Sequence, residues 1–165
     1  MQKSFFVALS IATLITVSAH AKTMKLPDDE KPIATITIPD SWDPDAIENG
    51  VAGTSDDDAV YLAAVAVSSK KGMDAEIEDT FAMLKEHNVE LDQSSKKENK
   101  FKVNGIDAEE LLFQGKDEDG PTAVSITFVP IKDNVIVLTY WVTTKDEAKH
   151  QAEVGQIVNS LKPVG

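Results

Sequence analysis

The sequence predicts an α+β fold, an α/β/α sandwich in which a mostly antiparallel sheet of about six strands is flanked by two main helices. Three observations indicate this architecture. Short runs of β-branched and apolar residues, bounded by turn residues, recur along the chain from residue 33. Two of these runs, 59–68 and 135–143, are apolar on both faces and therefore need cover on both sides. Two amphipathic helical segments are available to supply that cover.

The strands follow from the alternation of side chains along the chain. They are predicted at 33–38, 46–54, 59–68, 96–103, 106–114, 122–129 and 135–143. The second of them is weak because two glycines interrupt it. Asn104 and Gly105 both tolerate positive φ, so they predict a two-residue hairpin between the strands on either side.

Helical spacing of apolar residues appears in two segments. The first helix is predicted at 74–87, because Ile77, Phe81 and Leu84 recur along one stripe. The second is predicted from a capping box at 144–147 to about residue 161, where the apolar residues again share one face. A proline at position 163 prevents its further extension.

The first 21 residues have the order of a secretory signal peptide. A lysine precedes an apolar run over 5–17, and Ala19-His20-Ala21 is a small-x-small cleavage site, so cleavage is predicted after Ala21. No later segment has the apolar length of a membrane-spanning helix. We therefore predict a periplasmic or secreted protein with a flexible N-terminal lead at 22–32 and one domain at 33–163.

Charge and composition exclude several classes of partner. The chain carries 28 Asp and Glu against 16 basic residues, all of them lysine, for a net charge of −12. Phosphate backbones would be repelled by this surface, and the arginine fork that binds phosphate in a bidentate manner is missing, so nucleic-acid binding is not expected. Without cysteine, an exported chain must depend on its apolar core for stability.

Three stretches, 38–42 (Ile-Pro-Asp-Ser-Trp), 103–108 (Val-Asn-Gly-Ile-Asp-Ala) and 157–162 (Ile-Val-Asn-Ser-Leu-Lys), follow one another in a characteristic order. In that order they resemble the PsbP/Mog1-type domains, including the bacterial DUF1795 and DcrB-like exported proteins. The resemblance implies the sandwich fold and a non-catalytic adaptor or binding role. It transfers no site residue, since these proteins bind different partners and fold does not dictate function.

Catalytic signatures are missing from the sequence. There is no cysteine and no Gly-x-Ser-x-Gly elbow. His87 and His150 stand alone, and Glu147, His150 and Glu153 are interpreted as a solvated helix face. We therefore predict no enzymatic activity, no cofactor and no metal site; the alternative is a hydrolase with a dispersed active site.

Acidic turns raise a third possibility, calcium binding. Asp56-Asp57-Asp58 and the turn at 117–120 are rich in the oxygen ligands that calcium prefers. Neither has the alternating spacing of a calcium loop, so solvated turns are favoured. Glu109 and Glu110 are adjacent on a strand and are predicted to face opposite sides, which argues against an acid–base pair.

The function that these patterns favour is that of a non-catalytic exported accessory or binding protein of the cell envelope. Its expected partner is another envelope protein, with a small apolar ligand held between sheet and helix as the alternative. A turn aromatic beside a glycine-interrupted segment suggests a partner surface at Trp42, Ile47, Val51 and Thr54.

Overall fold

The computed structural model describes residues 20–68 and 70–165. The predicted signal peptide therefore lies outside the described residues, apart from its last two. In chain order the elements are β1 (Ala21–Leu26), β2 (Ala34–Pro39), a short 3-10 helix (Asp40–Trp42), β3 (Asp45–Ile47), β4 (Gly50–Thr54), β5 (Val60–Val67), α1 (Lys70–Glu86), β6 (Glu90–Val103), β7 (Ile106–Asp117), β8 (Gly120–Ile131), β9 (Asn134–Thr143), α2 (Glu147–Asn159) and β10 (Lys162–Pro163).

The strands form two antiparallel sheets. The main sheet has seven strands in the order β3-β4-β5-β9-β8-β7-β6, and a smaller sheet has the order β1-β2-β10. The predicted α+β fold is confirmed, with seven strands in the main sheet rather than about six. The difference arises at 46–54, where the weak predicted strand proves to be the hairpin of β3 and β4. Asn49 turns the chain there with a φ of 55°.

The two helices cover opposite faces of the main sheet. On β9, Ile136 and Leu138 belong to the core that includes Ile157 of α2, whereas Val137 belongs to the core that includes Leu84 of α1. Successive strand residues point to opposite faces, so the α2 face and the α1 face each have their own core. The central strands are therefore covered on both faces, as their apolar side chains predicted.

The hairpin between β6 and β7 forms as predicted. Asn104 has a φ of 47° and Gly105 a φ of 85°, and Val103 pairs with Ile106 across the turn. Positive φ at both central residues gives a type I′ turn, whose twist matches that of the paired strands.

The predicted flexible lead at 22–32 is wrong in its first half. Residues 21–26 form β1, which pairs with β2 over six residues, and Leu26 is fully buried. Backbone pairing holds this segment in place, together with the burial of Leu26 and the packing of the partly buried Met24, two residues before it, against the same core. Within 20–68 and 70–165, no helix combines the length and the apolar character needed to cross a membrane.

Candidate functional site

A cleft of about 490 Å³ lies between α2 and the main sheet. Its volume is in the range of small-molecule sites, about 300–1,000 Å³. Its walls are mostly aliphatic and aromatic, formed by Leu62, Phe101, Leu112, Leu138, Val154 and Val158. The remaining lining includes four residues, Glu110, Ser125, Thr127 and Tyr140, which we call the polar floor.

Strand register places the polar floor in two neighbouring rows. Ser125 of β8 pairs with Tyr140 of β9, and two residues along the strands Glu110 of β7 pairs with Thr127 of β8. Because residues two apart share a face, all four side chains belong to the α2 face. Ser125 and Thr127 are more than nine-tenths buried. The cleft therefore combines apolar walls with a compact group of buried hydrogen-bonding side chains.

The hydrogen bonds of the polar floor run in one direction. The Ser125 hydroxyl donates to Glu110 Oε1 at 2.6 Å, and Ser125 Oγ lies 3.3 Å from Thr127 Oγ1. A serine hydroxyl has a single proton. Since Ser125 gives that proton to Glu110, Thr127 must be the donor to Ser125. Both hydroxyl protons are thus committed, and the chain of bonds ends on the carboxylate.

Tyr140 lies beside this chain of hydrogen bonds without joining it. Its hydroxyl makes no hydrogen bond to any other residue of the described ranges. Burial, with a smaller contribution from the nearby Glu147 carboxylate, raises the pKa of Tyr140 to about 12. The phenol therefore stays neutral over the physiological range and is free to bind a ligand.

We expect both tyrosines to lose their protons at a higher pH than a solvent-exposed tyrosine does. Burial also raises the pKa of Tyr61, and these are the two tyrosines of the chain. Between the ordinary value of 10.0 and about 12, the unfolded chain loses the Tyr140 proton while the folded chain retains it, so stability is expected to fall as pH rises through that window. Tyrosinate absorbance of Y61F should show the remaining tyrosine titrating near 12. A midpoint at the ordinary value would contradict the burial of Tyr140.

Gly155 supplies space in the cleft wall. It lies inside α2 and lines the cleft, and a Cβ built there meets nothing within 4 Å. A glycine inside a helix costs about 0.5–1 kcal/mol relative to alanine. Neither its backbone conformation nor a close neighbour requires a glycine at this position, so its effect is to leave the cleft open.

A second cleft, of about 600 Å³, lies near the start of α1 and is a weaker candidate. Its floor contains Phe128 and Val135. Its charged residues are exposed and paired across the β6–β7 hairpin, Lys100 with Glu109 at 2.6 Å and Lys102 with Asp107. Exposed pairs of this kind are well solvated, so water already satisfies most of what they could offer a ligand.

The prediction that Glu109 and Glu110 face opposite sides of the sheet is confirmed, because Glu109 lines the second cleft and Glu110 lines the cleft beneath α2.

The loop between β4 and β5 is joined to α2 by a cluster around Asp57. Ser55 donates to Asp57 Oδ1 at 2.8 Å, and His150 Nε2 lies 3.1 Å from Oδ2, which the Lys149 ammonium also contacts. Lys149, followed by Ser55 and His150, holds the pKa of Asp57 well below its usual range. His150 is only 4% exposed and its ring meets Trp42 edge-on. Its interpretation as part of a solvated helix face is therefore wrong.

Serine, aspartate and histidine in this cluster are in the wrong order for nucleophilic catalysis. A serine triad needs the imidazole between the hydroxyl and the carboxylate, so that the imidazole can accept the hydroxyl proton. Here Asp57 lies between Ser55 and His150, and Ser55 is buried while accepting the Val60 amide at 3.0 Å. The arrangement ties the loop to the helix.

Two of the four residues predicted as a partner surface cannot present one. Trp42 and Val51 are each 1% exposed and belong to the core of the α2 face. Thr54 is half-buried, and Ile47, on the edge strand β3, is 40% exposed. Trp42 proves to be a core residue here, since it is the buried residue of the 3-10 helix and packs in the core of the α2 face.

The acidic turns do not assemble a metal site among the described residues. Within 20–68 and 70–165, no group of three or more His, Asp or Glu side chains is placed to hold a metal ion. In the turn at 117–120, Asp117 Oδ1 already accepts the amides of Asp119 and Gly120 at 2.8 and 3.1 Å. The Asp117 carboxylate therefore stabilises its own turn, and the Asp57 carboxylate is occupied by Ser55, Lys149 and His150.

The sequence patterns suggested an apolar ligand between sheet and helix as an alternative, but they identified none of the residues that line the cleft, although one signal was present. Glu110 occupies a position whose neighbours two residues away, Ala108 and Leu112, are apolar. An acidic residue in the inward series of a strand is costly unless it is paired. Its partners Ser125 and Asn99 lie on neighbouring strands, and only the register reveals them.

Comparison with known proteins gives the fold. No family model matches the chain, and no curated protein matches it. The solution structure of the cyanobacterial PsbP (CyanoP) from Synechocystis sp. PCC 6803 is 9% identical and has a TM-score of 0.59; the match covers 88% of this chain and 94% of that one. The Ran-binding protein Mog1p of Saccharomyces cerevisiae is 10% identical, with a TM-score of 0.50 over 88% and 96% of the two chains.

The likeness is one of architecture. At 9–10% identity it establishes a shared PsbP/Mog1-like fold, as the sequence predicted. The narrower resemblance to the DUF1795 and DcrB-like exported proteins stays a prediction.

Proposed function

We propose that this chain is a non-catalytic exported binding protein of the cell envelope, and that its ligand site is the cleft between α2 and the main sheet. The ligand is a small molecule with an apolar body. The observation that carries the proposal is the polar floor: Ser125 and Thr127, more than nine-tenths buried, lie at the base of a cleft with apolar walls. An apolar pocket with a few convergent polar groups is the usual form of a small-molecule site.

Two further features support binding rather than catalysis. None of the three histidines in the described ranges lines the cleft, since His20 immediately precedes β1, His150 is paired with Asp57 and His87 lies against Trp141. The hydroxyl protons of Ser125 and Thr127 are committed to the chain of hydrogen bonds that ends on Glu110, and no imidazole lines the cleft to take a proton from either hydroxyl. The predicted signal peptide supports export.

Backbone NMR of residues 22–165, titrated with 1-octanol as an apolar probe, tests the proposal. We expect saturable shifts at the residues of α2, β7, β8 and β9 that line the cleft, because the probe should displace water from the apolar walls. Shifts confined to the second cleft, around Phe128 and Val135, would show that the probe binds there instead. The absence of any saturable shift would refute the proposal.

A protein partner is the second candidate. Ile47 is an exposed large apolar residue on the short edge strand β3, and the structurally similar Mog1p is a Ran-binding protein. An edge strand with an exposed apolar residue suits pairing with another chain. Pull-down from envelope extract, comparing the unmodified chain with I47D, tests this candidate.

A further inference from the structure

The polar floor offers hydrogen-bond acceptors. The protons of Ser125 and Thr127 are already committed to the chain that ends on Glu110. Glu110 also accepts from Asn99 Nδ2 at 3.2 Å, so two of its roughly four lone-pair positions are used and two remain. A ligand group that enters the floor must therefore bring donors of its own; Tyr140 is the single floor residue with a free hydroxyl proton.

Both charged residues that line the cleft are acidic. Glu110 lies in the floor, and the exposed Glu147 lies at the opening beside the start of α2. None of the described residues that line the cleft is a lysine, and the chain contains no arginine. An anionic ligand would meet two carboxylates without a neutralising cation, whereas a cation would be attracted by both.

On the proposed function, we infer that the ligand of this cleft carries a protonated amine at one end of its apolar body. An ammonium has three donors and no acceptor, which complements the free lone pairs of Glu110, Ser125 and Thr127. Its apolar body packs along the aliphatic walls of the cleft, which include Leu62 of β5 and Val158 of α2. A charge-assisted hydrogen bond to a partly buried carboxylate is stronger than a neutral one, which gives the amine its advantage over an alcohol of equal length.

Calorimetric titration of residues 22–165 with three eight-carbon probes tests the inference: octylammonium, 1-octanol and octanoate, at pH 7 and about 0.15 M salt to screen the acidic surface. We expect octylammonium to bind about tenfold more tightly than 1-octanol, and octanoate to bind most weakly. This comparison needs no variant. Equal or tighter binding of 1-octanol or octanoate would overturn the inference while leaving the proposed function in place. Failure of all three probes to bind would overturn both.

A matched pair of variants tests whether Glu110 is the carboxylate that binds the amine. E110Q should remove the preference for octylammonium over 1-octanol, and thermal unfolding of E110Q checks separately that the variant is folded. E109Q makes the same change at the next residue of β7, on the opposite face, and should keep the preference. An equal loss in the two variants would show attraction by the acidic surface as a whole, and would overturn the inference.

Discussion

Replacing Trp42 with alanine is expected to lower the free energy of unfolding by about 3–5 kcal/mol, the usual cost of truncating a buried tryptophan. Trp42 is 1% exposed, packs in the core of the α2 face and meets the ring of His150 with the centroids 6.4 Å apart. Since small domains are stable by about 5–15 kcal/mol, W42A should lie near the limit of folding. Chemical denaturation of W42A and the unmodified chain measures the difference.

Ile47→Ala is the control for this experiment. Ile47 is 40% exposed, so its truncation should change the free energy of unfolding by no more than about 0.5 kcal/mol. The two residues were predicted as parts of one surface, and the structure separates them into a core residue and an exposed one. A cost below about 1 kcal/mol for W42A would contradict its place in the core. Loss of a partner by W42A in a pull-down would therefore report unfolding.

Replacing Gly155 with phenylalanine is expected to block the cleft without unfolding the protein. The new side chain enters open space, because a Cβ at this position meets nothing within 4 Å. It would occupy the volume that the apolar body of a ligand needs, so 1-octanol should bind at least about tenfold more weakly, a loss of about 1.4 kcal/mol or more. Calorimetry measures the affinity, and thermal unfolding should show an unchanged or higher Tm.

Two companion variants separate blocking from other effects. A152F places the same side chain on an exposed position of α2 and should leave binding unchanged. G155A should raise the free energy of unfolding by about 0.5–1 kcal/mol, since alanine costs less than glycine inside a helix, and should still bind the probe. Full binding by G155F would place the ligand elsewhere.

Local patterns predicted most of the elements. The main-sheet strands from β5 to β9 were all predicted, although β6 begins at Glu90 rather than at residue 96, and the Asn104-Gly105 turn was predicted from its tolerance of positive φ. The apolar stripe of α1 was also correct: Leu84 is fully buried, and Phe81 meets Phe113 edge-on at 5.9 Å. These features depend on a few neighbouring residues, so a single sequence is sufficient to predict them.

Errors occurred where a segment depends on a distant one. β1 is polar and was predicted to be flexible, yet its backbone pairs with β2 and Leu26 fills a core site. His150 was assigned to a solvated face, yet it is buried against a carboxylate 93 residues away. In both cases the stabilising partner lies far along the chain, and tertiary contacts override local preference.

The sequence by itself determined the α+β fold class, the main-sheet strands β5 to β9 apart from the first part of β6, the two helices, the acidic net charge and the opposite orientation of Glu109 and Glu110. These are encoded by periods of two and 3.6 residues and by composition. Only the tertiary structure decided that Glu110, Ser125, Thr127 and Tyr140 meet beneath α2, beside the space left at Gly155. The reason is physical. The two-residue repeat of a strand shows which of its side chains are buried, whereas the register between strands and the position at which the helix packs decide which buried residues become neighbours.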